Sequence, residues 1–177
     1  MIYVMSDIHG CKEEYFEALE TIKLKDEDTL YVLGDVIDRG SDGIEILKDM
    51  MMRANVIPLI GNHDYMALMM LRKLAVEVTE ENADNYLTME DMTSYMNWIS
   101  DGGNTTIEAF RKLSPYEKED ILEAYLNTIN LGQNTLGIQA ASERYFGKNV
   151  SELSIAEAAV LAGIAKSPEG YNPIKNP

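Results

Sequence analysis

The sequence predicts an α/β fold over residues 1–123 and a mainly α-helical segment over residues 124–177. Three observations carry this. The runs IYVM, TLYVLGD and NVIPLIG are short, apolar and rich in β-branched or aromatic residues, and each empties into a polar loop. The stretches between them repeat apolar residues at helical spacing. Beyond Ile60 no strand signal of comparable quality recurs, while helical periodicity continues.

Ile2 to Met5 reads as a buried strand, and CKEEYFEALETIKL as an amphipathic helix with Phe16, Leu19 and Ile22 facing inward. TLYVLGD is a second strand, IEILKDMMMR a second helix, and NVIPLIGNHD a third strand. Strand, loop and helix in repetition predict parallel strands with right-handed crossovers, whose carboxyl ends meet at one edge. MALMMLRKLAV continues as a helix, its methionines read as core filler. The polar stretch from Glu77 to Asn104 predicts a helical cap, with DGGN as a turn and Trp98 as a packing aromatic. IEAFRKLSPYEKEDILEAYLN predicts two helices divided at Ser114, an N-cap, and Pro115, a first helical residue. Near the end Ser154 and Glu157 have the spacing of a capping box before an alanine-rich helix. Tyr145, Phe146 and Gly147, with Asn172 and Pro173, read as packing and turn residues.

Size and charge narrow the classes. A chain of 177 residues suits one medium domain or two small ones. Fifteen basic against 30 acidic side chains give a formal charge of −15, which repels polyanions, so no nucleic-acid partner is expected. Cys11 is the sole cysteine, which excludes an intrachain disulfide or a multi-thiolate zinc site and leaves it a small packing residue at a helix start. No run has the length of a membrane span and the opening residues lack a basic flank, so the expectation is a cytoplasmic protein without a membrane anchor.

The polar loops hold the candidate chemistry. Asp7 and His9 are separated by one residue, so an extended loop projects both the same way. Asp35 ends the second strand; Asn62 and His63 end the third. Adjacent parallel strands would gather a carboxylate pair, an amide oxygen and an imidazole, donors that suit Mn, Fe, Zn or Mg. Taken singly, Asp35 or Asp38 could cap a helix, Arg39 could form an ion pair and Asn62 could shape a turn.

SDIHG, GDVIDRG and GNHD, in that order at three strand ends, resemble the signature blocks of calcineurin-like metallophosphoesterases, especially the bacterial serine/threonine protein phosphatase branch. The stretch WISDGGNTTIEAF is similar to the same proteins, so this resemblance covers residues 1 to about 123. It implies a partial metallophosphoesterase-type β-sandwich, the parallel βαβαβ half with a helical cap. It implies that Asp7 and His9 hold one metal, that Asp35 bridges two and that Asn62 ligates the second. His63 would be the general acid, Asp38 would orient it and Arg39 would clamp phosphate. A phosphorylated protein or small phosphoester would be the substrate, hydrolysed by water activated on the metals. That family draws two further histidines from later strands, whereas this chain has only two histidines in all. Asp84, Asp91, Asp101 and Asp120 are the available substitutes, and their spacing does not favour any of them. The resemblance therefore implies one or two divalent cations, an impaired site, and a sheet short of its usual cover.

From about Asp120 the text DILEAYLNTINLGQNTLGIQAASERYFGKNVSELSIAEAAVLAGIAKSPEGYNP resembles the C-terminal part of the peptidoglycan glycosyltransferase domain of class A penicillin-binding proteins. That domain's catalytic glutamates belong to upstream motifs absent here, and FRKLSPYE does not reproduce its RKxxE pattern. The chain reads as a chimera joined through KEDILEAYL. The expected function is a metal-dependent phosphoesterase; the alternatives are a non-catalytic metal-binding or interaction protein and a glycosyltransferase fragment. Oligomeric state is not encoded in any of these signals.

Overall fold

The computed structural model describes residues 1–76, 78–80, 82, 86–128, 135, 137–166 and 174. The chain divides into two compact units, Met1–Leu122 and Glu123–Pro177.

The first unit begins β1 (Ile2–Met5), α1 (Lys12–Ile22), β2 (Thr29–Val32), α2 (Gly43–Met51), β3 (Val56–Pro58) and α3 (Asn62–Leu74). The three strands form one sheet in the order β1-β2-β3, with both pairs parallel. Because strand side chains alternate, the register sorts them by face. Leu30 and Val32 with Val56 lie on one face, exposed by 0%, 0% and 5%. Burying side chains of this size stabilises by about 1.5–3 kcal/mol each. On the other face Ile2 and Val4, paired with Thr29 and Tyr31, are exposed by 72% and 59%. Leu33, one step beyond Tyr31 on that face, is also exposed. This sheet has one buried side and one wet side, unlike the doubly covered sheets usual for parallel strands.

α1 packs on α2, and polar contacts fix their meeting. The hydroxyl of Tyr15 donates to Asp49 at 2.9 Å, and Lys12 pairs with Glu45. Burial of Tyr15, reinforced by Asp49, holds its phenol well above the ordinary tyrosine range. The inward residues of α1 are Tyr15 and Leu19, with Phe16 and Ile22 only half-buried, a correction to the expected face. Cys11 is exposed at the N-cap of α1, so it is not a packing residue either. Of the α3 methionines Met70 is buried, but Met69 is exposed and fills no core.

The cap consists of α4 (Met89–Trp98), a π-helical turn at Ile99–Gly103, and α5 (Asn104–Arg111). Thr88 starts α4: its hydroxyl accepts the Asp91 N–H at 3.1 Å while the Asp91 carboxylate accepts the Thr88 N–H at 2.9 Å. The DGGN stretch makes its bend at Gly102, where φ is 108°. α6 (Pro115–Thr128) follows, begun by the same device: Ser114 accepts from the Glu117 N–H at 3.3 Å and Glu117 accepts from the Ser114 N–H at 2.9 Å.

In the second unit α7 (Ile138–Phe146) packs with α8 (Ile155–Lys166), with a 3₁₀ turn at Val150–Glu152 between them. Gly147 ends α7 at φ 66°, the left-handed conformation that suits glycine after a helix. Ala141, Ser142, Leu161 and Ile164 are buried, and the Ser142 hydroxyl is satisfied by the Lys148 carbonyl at 2.8 Å. Ser154 and Glu157 form the capping box of α8, with Lys148 placing its ammonium 2.6 Å from Glu157. Asn172 and Pro173 lie outside the described residues.

Candidate functional site

The site is assembled where β1 and β2 run out and α3 begins. Apart from Lys23 at the end of α1, the described non-glycine residues with positive φ are Asp7 (56°), His9 (46°), Asp35 (54°), Asp38 (68°) and Arg39 (66°). Left-handed backbone is costly for residues bearing a Cβ, so the surroundings must hold it in place. They do so by extending the β1–β2 pairing beyond both strands. His9 N–H donates to the Asp35 carbonyl at 2.9 Å, Gly10 N–H to Val36 at 2.8 Å, and Gly40 N–H back to His9 at 2.9 Å. The loops approach so closely at Gly10 and Gly40 that a Cβ on Gly10 would lie 2.6 Å from the Gly40 carbonyl carbon.

Asp64, unread as a site residue in the sequence, anchors the second loop from below. Its buried carboxylate accepts the backbone N–H groups of Asp35 at 2.6 Å, Val36 at 3.1 Å and Gly61 at 3.0 Å. Burial pushes its pKa up, and the three N–H donors pull the other way without cancelling the effect.

Two arrangements result. In the first, a carboxylate and an imidazole pair. His63 Nδ1 lies 2.9 Å from Asp38 Oδ2, both residues buried. The same Asp38 oxygen accepts the Trp98 indole N–H at 2.9 Å, and Asp38 Oδ1 accepts the Thr106 hydroxyl at 2.6 Å. Asp38 is thus oriented by the cap, and Trp98 is a hydrogen-bond donor as well as a packing aromatic. His63 Nε2 faces Arg39 Nη2 at 3.2 Å and Asp101 Oδ2 at 3.6 Å. Arg39 is tied to the cap through its N–H to the Gly102 carbonyl at 3.0 Å. An imidazole held this way has one nitrogen fixed by a buried carboxylate and the other turned toward Arg39 and Asp101 at the cap edge.

In the second arrangement Asp7, His9 and Asp35 bring one ligand atom each within 4.8 Å of one another. His9 is buried, with Nδ1 3.0 Å from the Ile37 carbonyl. As the carbonyl only accepts, Nδ1 carries the proton in neutral His9 and Nε2 keeps its lone pair. The His9 and His63 rings meet edge to face with centroids 4.7 Å apart, so the two arrangements are neighbours. Asn62 opens α3 with its side chain exposed, next to His63, whose N–H donates to Asp35 Oδ1 at 2.9 Å.

The acidic substitutes do not gather into this group. Asp91 caps α4 and pairs with Lys73, and that pairing, with the Thr88 bonds, holds its carboxyl at about 2. Asp101 sits beside Arg39 and His63, Asp120 lies exposed on α6, and Asp84 is outside the described residues.

The family model that matches the chain is described as Transglycosylase and covers residues 83–177. Penicillin-binding protein 2D of Bacillus subtilis (strain 168) is 43% identical over 102 residues, 58% of this chain and 14% of that protein. Penicillin-binding protein 1A of Neisseria gonorrhoeae is 39% identical over 103 residues, 58% of this chain and 12% of that protein. For penicillin-binding protein 1A of Neisseria flavescens the values are 47% over 74 residues, 42% of this chain and 9% of the relative. The chain therefore spans a small part of the length of these relatives.

These matches overturn the expected function of a metal-dependent, serine/threonine phosphatase-like phosphoesterase, a hydrolase of the calcineurin-like class. The match also begins well before residue 120, so WISDGGNTTIEAF, read from the sequence as part of a phosphatase cap, falls inside it. By a match over more than half of its residues, the chain belongs to the transglycosylase family.

Proposed function

We propose that the chain acts in peptidoglycan glycosyl transfer as a substrate-holding segment of a transglycosylase domain, not as a self-sufficient catalyst. The observation that carries this is the family match over residues 83–177. It is supported by the absence from this sequence of the upstream glutamate motifs that the glycosyltransferase resemblance calls for. The matching residues would contact the growing glycan, while transfer itself needs acid and base groups supplied from elsewhere. Surface plasmon resonance of the immobilised full chain against a lipid-linked disaccharide-peptide, and against moenomycin, tests this. Saturable binding without glycan polymer formation is expected. Absence of binding to both, under conditions where a complete penicillin-binding protein binds, overturns it.

A second reading concerns the Asp7, His9 and Asp35 group. Two carboxylates and an imidazole with a free Nε2 fit a divalent cation that completes its shell with water, such as Mn, Fe, Zn or Mg. When bound, the cation would tie the β1 and β2 loops together without ester hydrolysis. Titration calorimetry with Mn²⁺ tests it: a heat of binding lost in His9→Ala supports the reading, and no heat sinks it.

A further inference from the structure

A cavity of about 410 Å³ opens in the first unit where the last turn of α3 meets α5 and the first two turns of α6. Its inner lining is Leu71, Ile107 and Phe110, all buried, and half-buried Leu74 and Leu122 continue the apolar wall outward. The volume falls in the range of about 300–1,000 Å³ that holds small molecules, and apolar walls with a few polar groups are the usual composition of such sites. α3 lies outside the family match while α5 and α6 lie inside it, so the cavity is not a feature of the matched segment alone.

Three charged side chains complete the lining: Arg111, Lys118 and Glu119. The Lys118 ammonium lies 5.7 Å from the centre of the Phe110 ring, which holds a cation over the apolar floor. In a chain with 30 acidic against 15 basic side chains, Lys12, Lys48 and Lys73 each have a carboxylate partner. Arg111 and Lys118 form no ion pair among the described residues. The helix ends that reach the cavity, the C-termini of α3 and α5 and the N-terminus of α6, carry partial charges of opposite sign that partly offset, so the full charges of the side chains set the sign. Two cations and one carboxylate leave a single positive charge, which suits a monoanion and disfavours a multiply charged head such as a diphosphate.

We propose that this cavity binds a single-chain amphipathic carboxylate, a fatty acid in chemical class, with its tail against Leu71, Ile107 and Phe110 and its head at Arg111 and Lys118. Removing the tail from water supplies the affinity, and the planar fork of the guanidinium orients the head.

The test is titration calorimetry of the full chain with decanoate below its micelle concentration, with hexanoate and decanol as companions and circular dichroism to check the fold of each variant. One saturable site is expected, tighter for decanoate than for hexanoate because more apolar surface leaves water. The double variant Arg111→Gln, Lys118→Gln should weaken decanoate about fivefold, as the loss of two partly exposed charge pairs implies. Ala75→Phe, which adds a ring at the cavity wall, should weaken it by at least as much. All three positions are exposed or half-buried, so the fold should survive each change. Absence of saturable binding overturns the proposal. So does decanoate binding that either variant leaves unchanged, or decanol binding as tight as that of decanoate.

Discussion

Asp64 reaches under the loop that ends β2 and takes the Asp35 backbone N–H at 2.6 Å, so a buried carboxylate on α3 sets the position of a candidate ligand on another element. The same side chain serves Val36 and Gly61. Removing it leaves three backbone donors without this acceptor in a buried setting. Asp64→Ala should destabilise the first unit by about 1–3 kcal/mol, and Asp64→Asn by less, since one amide oxygen still accepts. Urea unfolding followed by circular dichroism measures both; equal stability of Asp64→Ala and the parent would show that the loop is held by other means.

The cap fastens on Asp38 through two donors. Trp98→Phe keeps the ring and loses the N–H that reaches Asp38 at 2.9 Å; Thr106→Val keeps the shape and loses the hydroxyl at 2.6 Å. Each should cost about 1–3 kcal/mol, as hydrogen bonds to a charged group do. Because both act on one carboxylate, the double variant should depart from the sum of the singles by at least about 0.5 kcal/mol. Trp98 is the only tryptophan, so unfolding of the Phe variant must be followed by circular dichroism, not indole fluorescence. Strict additivity would mean the two donors do not work through Asp38.

α8 carries a pH signature of its own. The Lys148 ammonium, followed by the Ser154 cap bonds, holds the Glu157 carboxyl at about 2, below its ordinary 4.5. A depressed carboxyl contributes stability that is present above the unfolded value and lost as pH falls through the folded one. Helicity of the chain should therefore decline as the medium is taken from about pH 4.5 toward about 2, and Glu157→Gln should flatten Glu157's share of that decline. Acid titration by far-ultraviolet circular dichroism checks this, and superimposable curves for parent and variant would refute it.

The Gly10 and Gly40 backbones meet too closely for a side chain. Gly10 also has φ 71°, so Gly10→Ala brings both strain and a clash with the Gly40 carbonyl group. Thermal unfolding should shift down by several degrees, as a loss of about 1–3 kcal/mol implies for a unit of this size. An unchanged melting temperature would mean the two loops can separate at little cost.

The local elements were legible because their signals are local. Leu30 and Val32 fall on one face of a strand whatever surrounds them, and Ser114 and Ser154 each carry a glutamate three residues on. The facing of α1 was less legible: Tyr15 turns inward because its hydroxyl finds Asp49, 34 residues away, a partner no helical pattern reveals. Asp7, His9 and Asp35 are brought together by a ladder that continues past the strand ends, and the quoted motifs marked all three. Trp98, Thr106 and Asp101 were missed as neighbours of Asp38 and His63, since they depend on how the cap closes over the loops. The motif blocks suggested a reaction, and the family match assigned the chain elsewhere: short loops report what they can hold, while a match over more than half of the chain reports ancestry.

One face of the sheet presents Ile2, Val4 and Leu33 to water, and the molecule bearing it has a formal charge of −15. Mutual repulsion is then what keeps such greasy patches from meeting between molecules. Colloidal behaviour should follow: in about 1 M salt, where repulsion reaches only about 3 Å, or near the isoelectric point of 4.4, light scattering should rise. Replacing Val4 by lysine, a small change in charge but a large one in patch character, should suppress it.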